Sequence, residues 1–336
     1  MIEAAIRQVR SGGDLAMDRM AELIGAIIQG RCSEDQVGRL LVALYEKGET
    51  VAEVAGAAAA LRRHVTPIRS TREGLLDTCG TGGDGSRTFN ISTAAALVAA
   101  AAGVPVAKHG NRGITSRSGS ADVLATLGVN VEADVARVEA CLDQLGICFC
   151  FAPLLHQAMK HVAPIRKKLG VPTIFNILGP LANPAGAPYQ LLGVGRSGLR
   201  PLMAEALALL GATRALVVHG DDGLDEVTLN GSTEVTELAG GQLRHLHWRP
   251  ADFGLTPSPL DGLTVEGPEQ SAAIIRGVLS GQQGTARDIV VANAAAGLLT
   301  AGRGEDLRAC ARLAAEAIDS GAASDLLARL ARLSRD

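Results

Sequence analysis

Aromatic residues are scarce in this chain of 336 residues: five phenylalanines, two tyrosines and one tryptophan amount to 2% of it. A core with so few rings must be built from aliphatic side chains and close helix packing, and the 47% of hydrophobic residues, rich in alanine, supply them. The chain is long enough to bury a large core in one or two domains.

Strong net charge and long apolar runs are also absent. A net charge of -3 at pH 7 argues against a general nucleic-acid binder, which needs a basic face to displace phosphate counterions. The longest apolar stretch, residues 91–107, is broken by Gly103 and Pro105 and falls short of the roughly 18 residues of a membrane span. The opening MIEAAIRQVR has the pattern of an amphipathic helix rather than a secretory signal, so we expect a cytoplasmic protein.

The six cysteines have no spacing typical of a disulfide framework. Cys148 and Cys150 alternate with Ile147, Phe149 and Phe151, a pattern that is typical of a buried strand. A Cys-x-Cys metal site is the alternative, but no second pair of ligands stands near it in the sequence. We therefore predict a strand over these residues.

The first 70 residues carry helix signals throughout. Ser33 with Gln36 and Thr50 with Glu53 fit the capping box that begins a helix, and Gly48 stands where a C-cap glycine belongs. Apolar residues between them follow the spacing of one helix face. We predict an all-helical region here, and a second one from Leu260 onward with a break at residues 320–321.

From about Gly74 onward, strand signals alternate with helix signals. This order predicts an α/β fold with a mainly parallel sheet, whose ligands bind at the carboxyl ends of the strands. Residues 156–184 interrupt it with four prolines, and we interpret them as a helical hinge that returns towards the N-terminal helices. The predicted strands are Leu75–Asp77, Val104–Ala107, Ile147–Phe151, Gln190–Gly193 and Ala215–His219.

The most informative segment is residues 75–122. Four glycines at positions 80, 82, 83 and 85 follow the first strand, and hydroxyl side chains open the next helix. Glycines let backbone N–H groups approach a ligand, and a helix N-terminus favours anions, so the segment predicts a polyphosphate site. A dinucleotide fingerprint is the alternative, but it needs an acid where the second strand ends in Lys108 and His109. A mere tight turn leaves the hydroxyls unexplained.

Two charged groups outside this segment are candidates for binding. Asp225 and Glu226 follow a strand and a glycine turn, where paired acids can hold Mg²⁺ through water; a solvated acidic loop is the alternative. The basic run from Lys160 to Lys168 is typical of a solvated helix face. Within it, Arg166 follows a proline and can direct its planar guanidinium at a carboxylate.

Taken together, these motifs resemble the anthranilate phosphoribosyltransferase family along most of the chain. The motifs are GTGGDG, TFNIST, VAKHGNR, SGSADVLATLGV, HVAPIRKKLG, TIFNILGPLANPA, GLDEVTL and NAAAGLL, in that order. The resemblance implies a homodimer with a nucleoside phosphorylase-like fold. Its small helical domain would be residues 1–70 with a helical insertion near 156–185, and its large α/β domain residues 74–155 and 186–336. It also implies transfer of the phosphoribosyl group of phosphoribosyl pyrophosphate (PRPP) to anthranilate, with Mg²⁺, in tryptophan biosynthesis.

The same resemblance implies a set of site residues. Anthranilate would meet Gly80, Asn111 and Arg166, and Mg²⁺ would be held by Ser92, Asp225 and Glu226. No general base is assigned, because the amine of anthranilate is already a neutral nucleophile; His109 and His156 are the candidates for a proton acceptor. PRPP would meet Gly80, Gly83, Asp84, Thr88, Asn90, Ile91, Ser92, Thr93, Lys108, His109, Gly110, Asn111, Arg112, Gly113, Ile114, Thr115, Ser116 and Ser120.

Three other functions stay open at this point. One is a pyrimidine nucleoside phosphorylase on the same fold, and another is a nucleic-acid-binding paralogue with a basic surface. The third is a transferase with the same sugar donor and a different aromatic acceptor, because the donor motifs are more specific than the acceptor motifs.

Overall fold

The N-terminal part of the protein is a bundle of four helices, as predicted. A computed structural model describes residues 1–113 and 118–335. Both capping boxes form: the Ser33 and Thr50 side chains accept from the backbone N–H groups of Gln36 and Glu53, whose side chains accept in return. The helices are α1 Ile2–Arg10, α2 Met17–Ile28, α3 Glu34–Lys47 and α4 Val51–His64.

The α/β part is built on a sheet whose strands, within the described residues, run in the order β3-β2-β1-β4-β5-β6-β7. The first five strands in this order pair in parallel, and β6 and β7 add an antiparallel edge. The predicted mainly parallel sheet is confirmed. The strands are β1 Leu76–Gly80, β2 Val106–Gly110, β3 Ile147–Phe151, β4 Tyr189–Gly193, β5 Arg214–Gly220, β6 Thr233–Ala239 and β7 Gln242–Trp248.

Helices cover both faces of this sheet. β1 and β3 are almost wholly buried, as strands between two helical layers must be. Cys148 and Cys150 lie in buried β3, so the predicted strand is confirmed there. The helices of this part are α5 Ile91–Ala101, α6 Ser120–Thr126, α7 Val135–Leu145, α8 Ala152–Leu155, α9 Ala163–Leu169, α10 Phe175–Leu178, α11 Leu199–Leu209, α12 Pro268–Leu279, α13 Thr285–Thr300, α14 Leu307–Asp319 and α15 Ala322–Leu333.

The hairpin β6–β7 escaped the sequence analysis. Its turn is Gly240–Gly241, and both residues have positive φ, which suits a two-residue hairpin turn. Glycine pairs between alternating segments are a hairpin signal, but β7 is polar and mostly exposed, so it lacks the apolar stripe that marks a strand. The helical region predicted from Leu260 in fact begins with α12 at Pro268, and the predicted break lies between α14 and α15.

Residues 152–188, here called the central segment, leave the sheet after β3 and return to it at β4. They contain α8, α9, α10 and two short 3-10 helices, so the segment is helical as predicted, and its role as a hinge stays a prediction. Its apolar residues join one core with the N-terminal helices and with α11, while a second core fills the opposite side of the sheet. Because the first core runs on into β4 and β5, apolar packing does not separate the two predicted domains, and their boundary stays a prediction. None of the described helices is both long and apolar enough to cross a membrane.

Candidate active site

The candidate site lies at the carboxyl ends of β1 and β4. From β1 the chain moves outward to β2 and β3, and it then returns to the other side of β1 as β4. This reversal of strand order leaves a crevice, the usual ligand position in open α/β sheets. Gly80 and Gly193, the last residues of the two strands, are register partners at its floor.

Two loops meet above these strand ends: the glycine loop, residues 81–87, and the acid loop, residues 221–228. The backbone N–H of Gly82 donates to the Asp225 carboxylate at 3.1 Å, and Asp84 accepts from the Asp225 N–H at 3.4 Å. A Cβ atom built on Gly193 would lie 1.6 Å from the carbonyl oxygen of Asp225. Only glycine at that strand end permits the acid loop to pass so closely.

Acidic side chains concentrate where the loops meet. Burial raises the pKa of Asp225 well above its ordinary value, and the charges of Asp84 and Glu226 raise it further. Burial also raises the pKa of Glu226, against the opposing charge of Lys108. Among the described residues, no ion pair compensates Asp225, so this corner of the crevice favours a bound cation.

The acid loop is tied directly to the first turn of α5. The Glu226 carboxylate accepts from the backbone N–H of Ser92 at 3.0 Å. The ammonium of Lys108 donates to the Ser92 hydroxyl at 3.3 Å and to the carbonyl of Thr78. Lys108 is only 3% exposed and lies below the crevice, where its positive charge stabilises the Glu226 carboxylate and its ammonium holds the Ser92 hydroxyl. Of the three predicted metal ligands, Ser92 and Glu226 are therefore in contact, and Asp225 adjoins Glu226 in the acid loop.

Asn90 stands at the N-terminus of α5 and is held on two sides. Its backbone N–H donates to Ser271 at 3.0 Å, while its amide oxygen accepts from Ser118 at 2.6 Å and from Ser271 at 2.8 Å. The side chains of Ile91 and Thr93 are buried, so these two residues can offer a ligand only their backbone. Thr88 is half-buried beside Ser86. The first turn of this helix contacts the acid loop through the backbone N–H of Ser92.

The residues after β2 form the outer rim. Asn111, Arg112 and Gly113 are exposed, and Arg112 pairs with Asp122 at 3.2 Å and Glu132 at 2.7 Å, so its charge is partly compensated. Ser120 opens α6 and donates to the carbonyl of Asn111 at 3.4 Å. Three predicted PRPP ligands, Ile114, Thr115 and Ser116, lie outside the described residues.

The two candidate proton acceptors contact each other. The Nε2 atoms of His109 and His156 are 3.1 Å apart, and His109 Nδ1 lies 3.0 Å from the carbonyl oxygen of Gly179. Burial lowers the pKa of His109 to about 3 and that of His156 to about 4. Both rings are therefore neutral at neutral pH, where they serve as hydrogen-bond partners and are weak bases.

Arg166 projects from α9 in the central segment. Its guanidinium lies 5.9 Å from the ring centre of Phe175 and donates to Asn176 at 3.3 Å, and burial lowers its pKa. Within the described residues, no hydrogen bond or ion pair joins Arg166 to Gly80 or Asn111. The predicted acceptor residues are thus less closely assembled than the predicted donor residues.

Several positioning residues escaped the sequence analysis. Asn183 donates to buried Asp77 at 2.7 Å and to the carbonyl of Ala107 at 2.8 Å, which fixes the central segment on β1 and β2. Gly193 and Ser271 were missed as well, because their neighbours in space are distant in the chain. Two signals were available: the proline and glycine punctuation of GPLANPA, which marks a loop, and the glycine within the predicted strand Gln190–Gly193, which marks a close backbone approach.

Comparison with known proteins gives matches over nearly the whole chain. Residues 3–65 match the helical bundle domain of the glycosyl transferase family and residues 72–324 its a/b domain. An anthranilate phosphoribosyltransferase of Rhodopirellula baltica is 52% identical over 327 residues, which are 97% of this chain and 96% of that protein. The chain belongs to the anthranilate phosphoribosyltransferase family. The relationship first inferred from the motifs is confirmed.

Solved structures of anthranilate phosphoribosyltransferases also match. The enzyme from Thermus thermophilus has a TM-score of 0.94 and 45% identity, covering 99% of each chain. A Saccharomyces cerevisiae anthranilate phosphoribosyltransferase in complex with PRPP and Mg has a TM-score of 0.89 and 30% identity, covering 99% of this chain and 98% of its own. The predicted fold class is therefore confirmed in its helical domain and in its α/β domain.

Proposed function

We propose that this chain transfers the phosphoribosyl group of PRPP to the amine of anthranilate, giving N-(5-phosphoribosyl)anthranilate and pyrophosphate in tryptophan biosynthesis. One observation carries the proposal: a glycine loop, a helix N-terminus and a buried acid pair converge at the β1–β4 crevice. The first two provide donors for phosphate oxygens, and the third provides ligands for a cation. The membership of the chain in the family supports the same reaction.

Mg²⁺ fits the residues present. Within the described residues, no three His, Cys, Asp or Glu side chains are close enough to hold an ion by themselves. Mg²⁺ does not need such a cage, because it keeps several waters and is commonly held by one or two carboxylates together with substrate phosphates. Asp225 and Glu226, with the Ser92 hydroxyl, would hold it, and when bound it would neutralise charge on the pyrophosphate.

The donor side of the reaction needs stabilisation of a leaving anion. Breaking the bond between ribose C1 and the pyrophosphate oxygen leaves negative charge on the pyrophosphate and positive charge on the sugar. Backbone N–H groups of the glycine loop and of the first turn of α5 are the proposed donors to that anion. Asn90, clamped by Ser118 and Ser271, keeps this helix end in place. The proposed PRPP contacts are the residues given above for the family.

The acceptor side needs orientation more than proton transfer. The anthranilate nitrogen attacks C1 with its lone pair and afterwards loses one proton. Arg166 is proposed to hold the carboxylate and Asn111 to orient the amine, so that the nitrogen faces C1. His109 and His156 are neutral and contact each other, and we place them at the edge of the acceptor side as hydrogen-bond partners. His109 and His156 remain the candidates for the group that accepts the proton lost by the amine.

A transferase with another aromatic acceptor is the second candidate function. Within the part of the chain that the structure describes, Arg166 has no bond to the other proposed acceptor residues, which favours a transferase with a different acceptor as the second candidate. The family membership leaves the phosphorylase and nucleic-acid alternatives without support. Loss of anthranilate fluorescence with PRPP and Mg²⁺, compared with a magnesium-free control, separates the two functions. Magnesium-dependent consumption is expected. Binding of PRPP by calorimetry without consumption of anthranilate would retain the donor site and reject the acceptor.

The homodimer and the cytoplasmic location are further parts of the proposal. All six cysteines are free, which suits a reducing compartment. The homodimer rests on the family resemblance, and sedimentation velocity of the purified protein checks it. A single species with the mass of one chain at micromolar concentration would reject the dimer.

A further inference from the structure

Asn293 is a fully buried amide that the proposed chemistry does not use. It lies in α13, within the NAAAGLL motif, and is 0% exposed. Its side-chain oxygen accepts from the backbone N–H of Val227 at 2.9 Å. Its side-chain nitrogen donates to the carbonyl of Val227 at 2.9 Å and to that of Ile289 at 2.9 Å. The amide therefore pairs with both backbone groups of one residue, as a neighbouring strand would.

The residue that it holds is the one directly after the acid pair. Val227 is 1% exposed, so its N–H and carbonyl have no access to water as replacement partners. Glu226 and Asp225 precede it and bind the backbone of Ser92 and Gly82. The acid loop is thus fixed on one side by the proposed phosphate-binding elements and on the other side by Asn293.

Helix α13 is well placed to serve as a common support. It packs along α5, whose N-terminus carries Ser92. It also lies against β1, since a Cβ atom on Gly297 would be 3.1 Å from the Leu76 side chain. One rigid helix therefore sets the relative positions of β1, α5 and the acid loop, and Asn293 is its direct hydrogen-bonded link to the loop.

We propose that Asn293 is a positioning residue that holds the Asp225–Glu226 pair in register with Ser92 for cation and PRPP binding. This inference rests on the proposed function. Loss of the two bonds to Val227 frees the acid-loop backbone, so the carboxylates lose their alignment with α5. Groups that orient metal ligands in this indirect way typically change metal affinity or activity by about 10- to 100-fold.

A matched pair of variants separates positioning from stability. Asn293→Ser removes both bonds to Val227, while its hydroxyl can still donate to the Ile289 carbonyl one turn earlier. Thr300→Val, in the same helix, removes a buried bond of 2.7 Å to the Ala296 carbonyl and leaves the acid loop untouched. Thermal melting measures the loss of stability that the two variants have in common, because each removes a buried hydrogen bond of α13.

The decisive measurement is binding of Mn²⁺, a spectroscopic substitute for Mg²⁺, followed by electron paramagnetic resonance with PRPP present. We expect Mn²⁺ affinity to fall about 10-fold in Asn293→Ser and to stay near wild type in Thr300→Val. The KM for PRPP should rise in Asn293→Ser while the KM for anthranilate changes little. Equal Mn²⁺ affinity in the two variants would overturn the proposal.

Two further outcomes are decisive. If Asn293→Ser does not fold, Asn293→Asp takes its place, since its carboxylate still accepts from the Val227 N–H. Failure of both to fold makes Asn293 a purely structural residue and rejects the positioning role. A wild-type chain without PRPP-dependent Mn²⁺ binding removes the metal assignment and this inference together, whereas wild-type affinity retained by Asn293→Ser removes this inference alone.

Discussion

The donor half and the acceptor half of the proposed site are built in different ways. The donor half uses strand ends and a helix N-terminus, and backbone groups lock its two loops: Gly82 to Asp225 and Ser92 to Glu226. In the acceptor half, Gly80 and Asn111 stand at the ends of β1 and β2, whereas Arg166 lies on the central segment, whose helices α8, α9 and α10 have 4, 7 and 4 residues. Such short helices have little stability of their own and depend on tertiary contacts.

The central segment, which carries Arg166, is attached to the sheet by the apolar core that it shares with β4 and β5 and by side-chain hydrogen bonds. Asn183 reaches Asp77, and His109 reaches both Gly179 and His156. The comparison teaches that the sheet dictates the donor geometry, whereas the position of Arg166 depends on the side-chain contacts of the central segment. Damage to the donor half should therefore stop the chemistry itself, and damage to the acceptor half should change acceptor use alone.

The largest effect is expected for Asp225→Asn, which removes a donor-half charge with little change of volume. Charge stabilisation by a bound metal is worth several kcal/mol. Since about 1.4 kcal/mol corresponds to tenfold in rate, magnesium-dependent turnover should fall on the order of 100-fold or more. Asp221→Asn is the control, because Asp221 is an exposed acid of the same loop that pairs with Ser232. Unchanged magnesium dependence in Asp225→Asn would remove it from the metal site.

Gly193→Ala tests whether the donor half depends on strand geometry. The new methyl group would overlap the Asp225 carbonyl and push the acid loop away from β4. A displacement of about 1 Å can cost on the order of 100-fold in rate, so kcat should fall by about that factor. Gly198→Ala is the matched control, since a Cβ atom there meets nothing within 4 Å. Equal kcat values for the two variants would mean that close packing of the loops is not required.

Sequence reasoning succeeded where the site is contiguous in the chain. The glycine loop, the hydroxyls of α5 and the acid pair each follow a strand, and a parallel sheet brings such positions to one edge. Asp225 and Gly82 are far apart in sequence, yet the alternation of strands and helices was enough to place them together. The strand positions shifted by a few residues: β1 runs to Gly80 and β2 to Gly110, so Lys108 and His109 lie inside β2 rather than in the loop after it.

Sequence reasoning failed where partners are single residues far apart in the chain. Asn293 pairs with Val227, and Asn183 pairs with Asp77, but a lone asparagine in a helix or loop carries no signal of its partner. Lys108 was predicted to contact PRPP; the structure buries its ammonium beneath Ser92, which the sequence did not indicate, and the contact with PRPP stays a prediction. Burial of a long cationic side chain depends on tertiary packing, which a strand-end motif does not encode.

A smaller and more selective effect is expected for Arg166→Ala in the acceptor half. A hydrogen bond to a charged group contributes about 1.5 to 3 kcal/mol, so kcat/KM for anthranilate should fall roughly 10- to 100-fold. Binding of PRPP, measured by calorimetry, should change little. Lys167→Ala, on the exposed side of the same helix, is the control. Equal losses of anthranilate use and PRPP binding would break the proposed division of the site into two halves.

The smallest effect on turnover is expected from titration of the histidine pair that joins the halves. With pKa values of about 3 and 4, His109 and His156 stay neutral between about pH 6 and pH 8. Their titration should therefore cause no change in a plot of kcat against pH over that range. The free energy of unfolding should depend on pH, because a histidine in the unfolded chain has a pKa near 6.5 and binds a proton at a higher pH than the buried pair does.

The sign of that response follows from proton binding. The unfolded chain holds more protons than the folded chain between pH 6.5 and the lower folded pKa values, so stability is full above about pH 6.5 and is lost as the pH falls towards 4. Urea unfolding at about pH 7 and pH 5 should show this loss in the wild type and less of it in His109→Asn. An equal loss in both proteins would mean that other groups cause the acid sensitivity and that the histidine pair does not hold the two halves together in its neutral form.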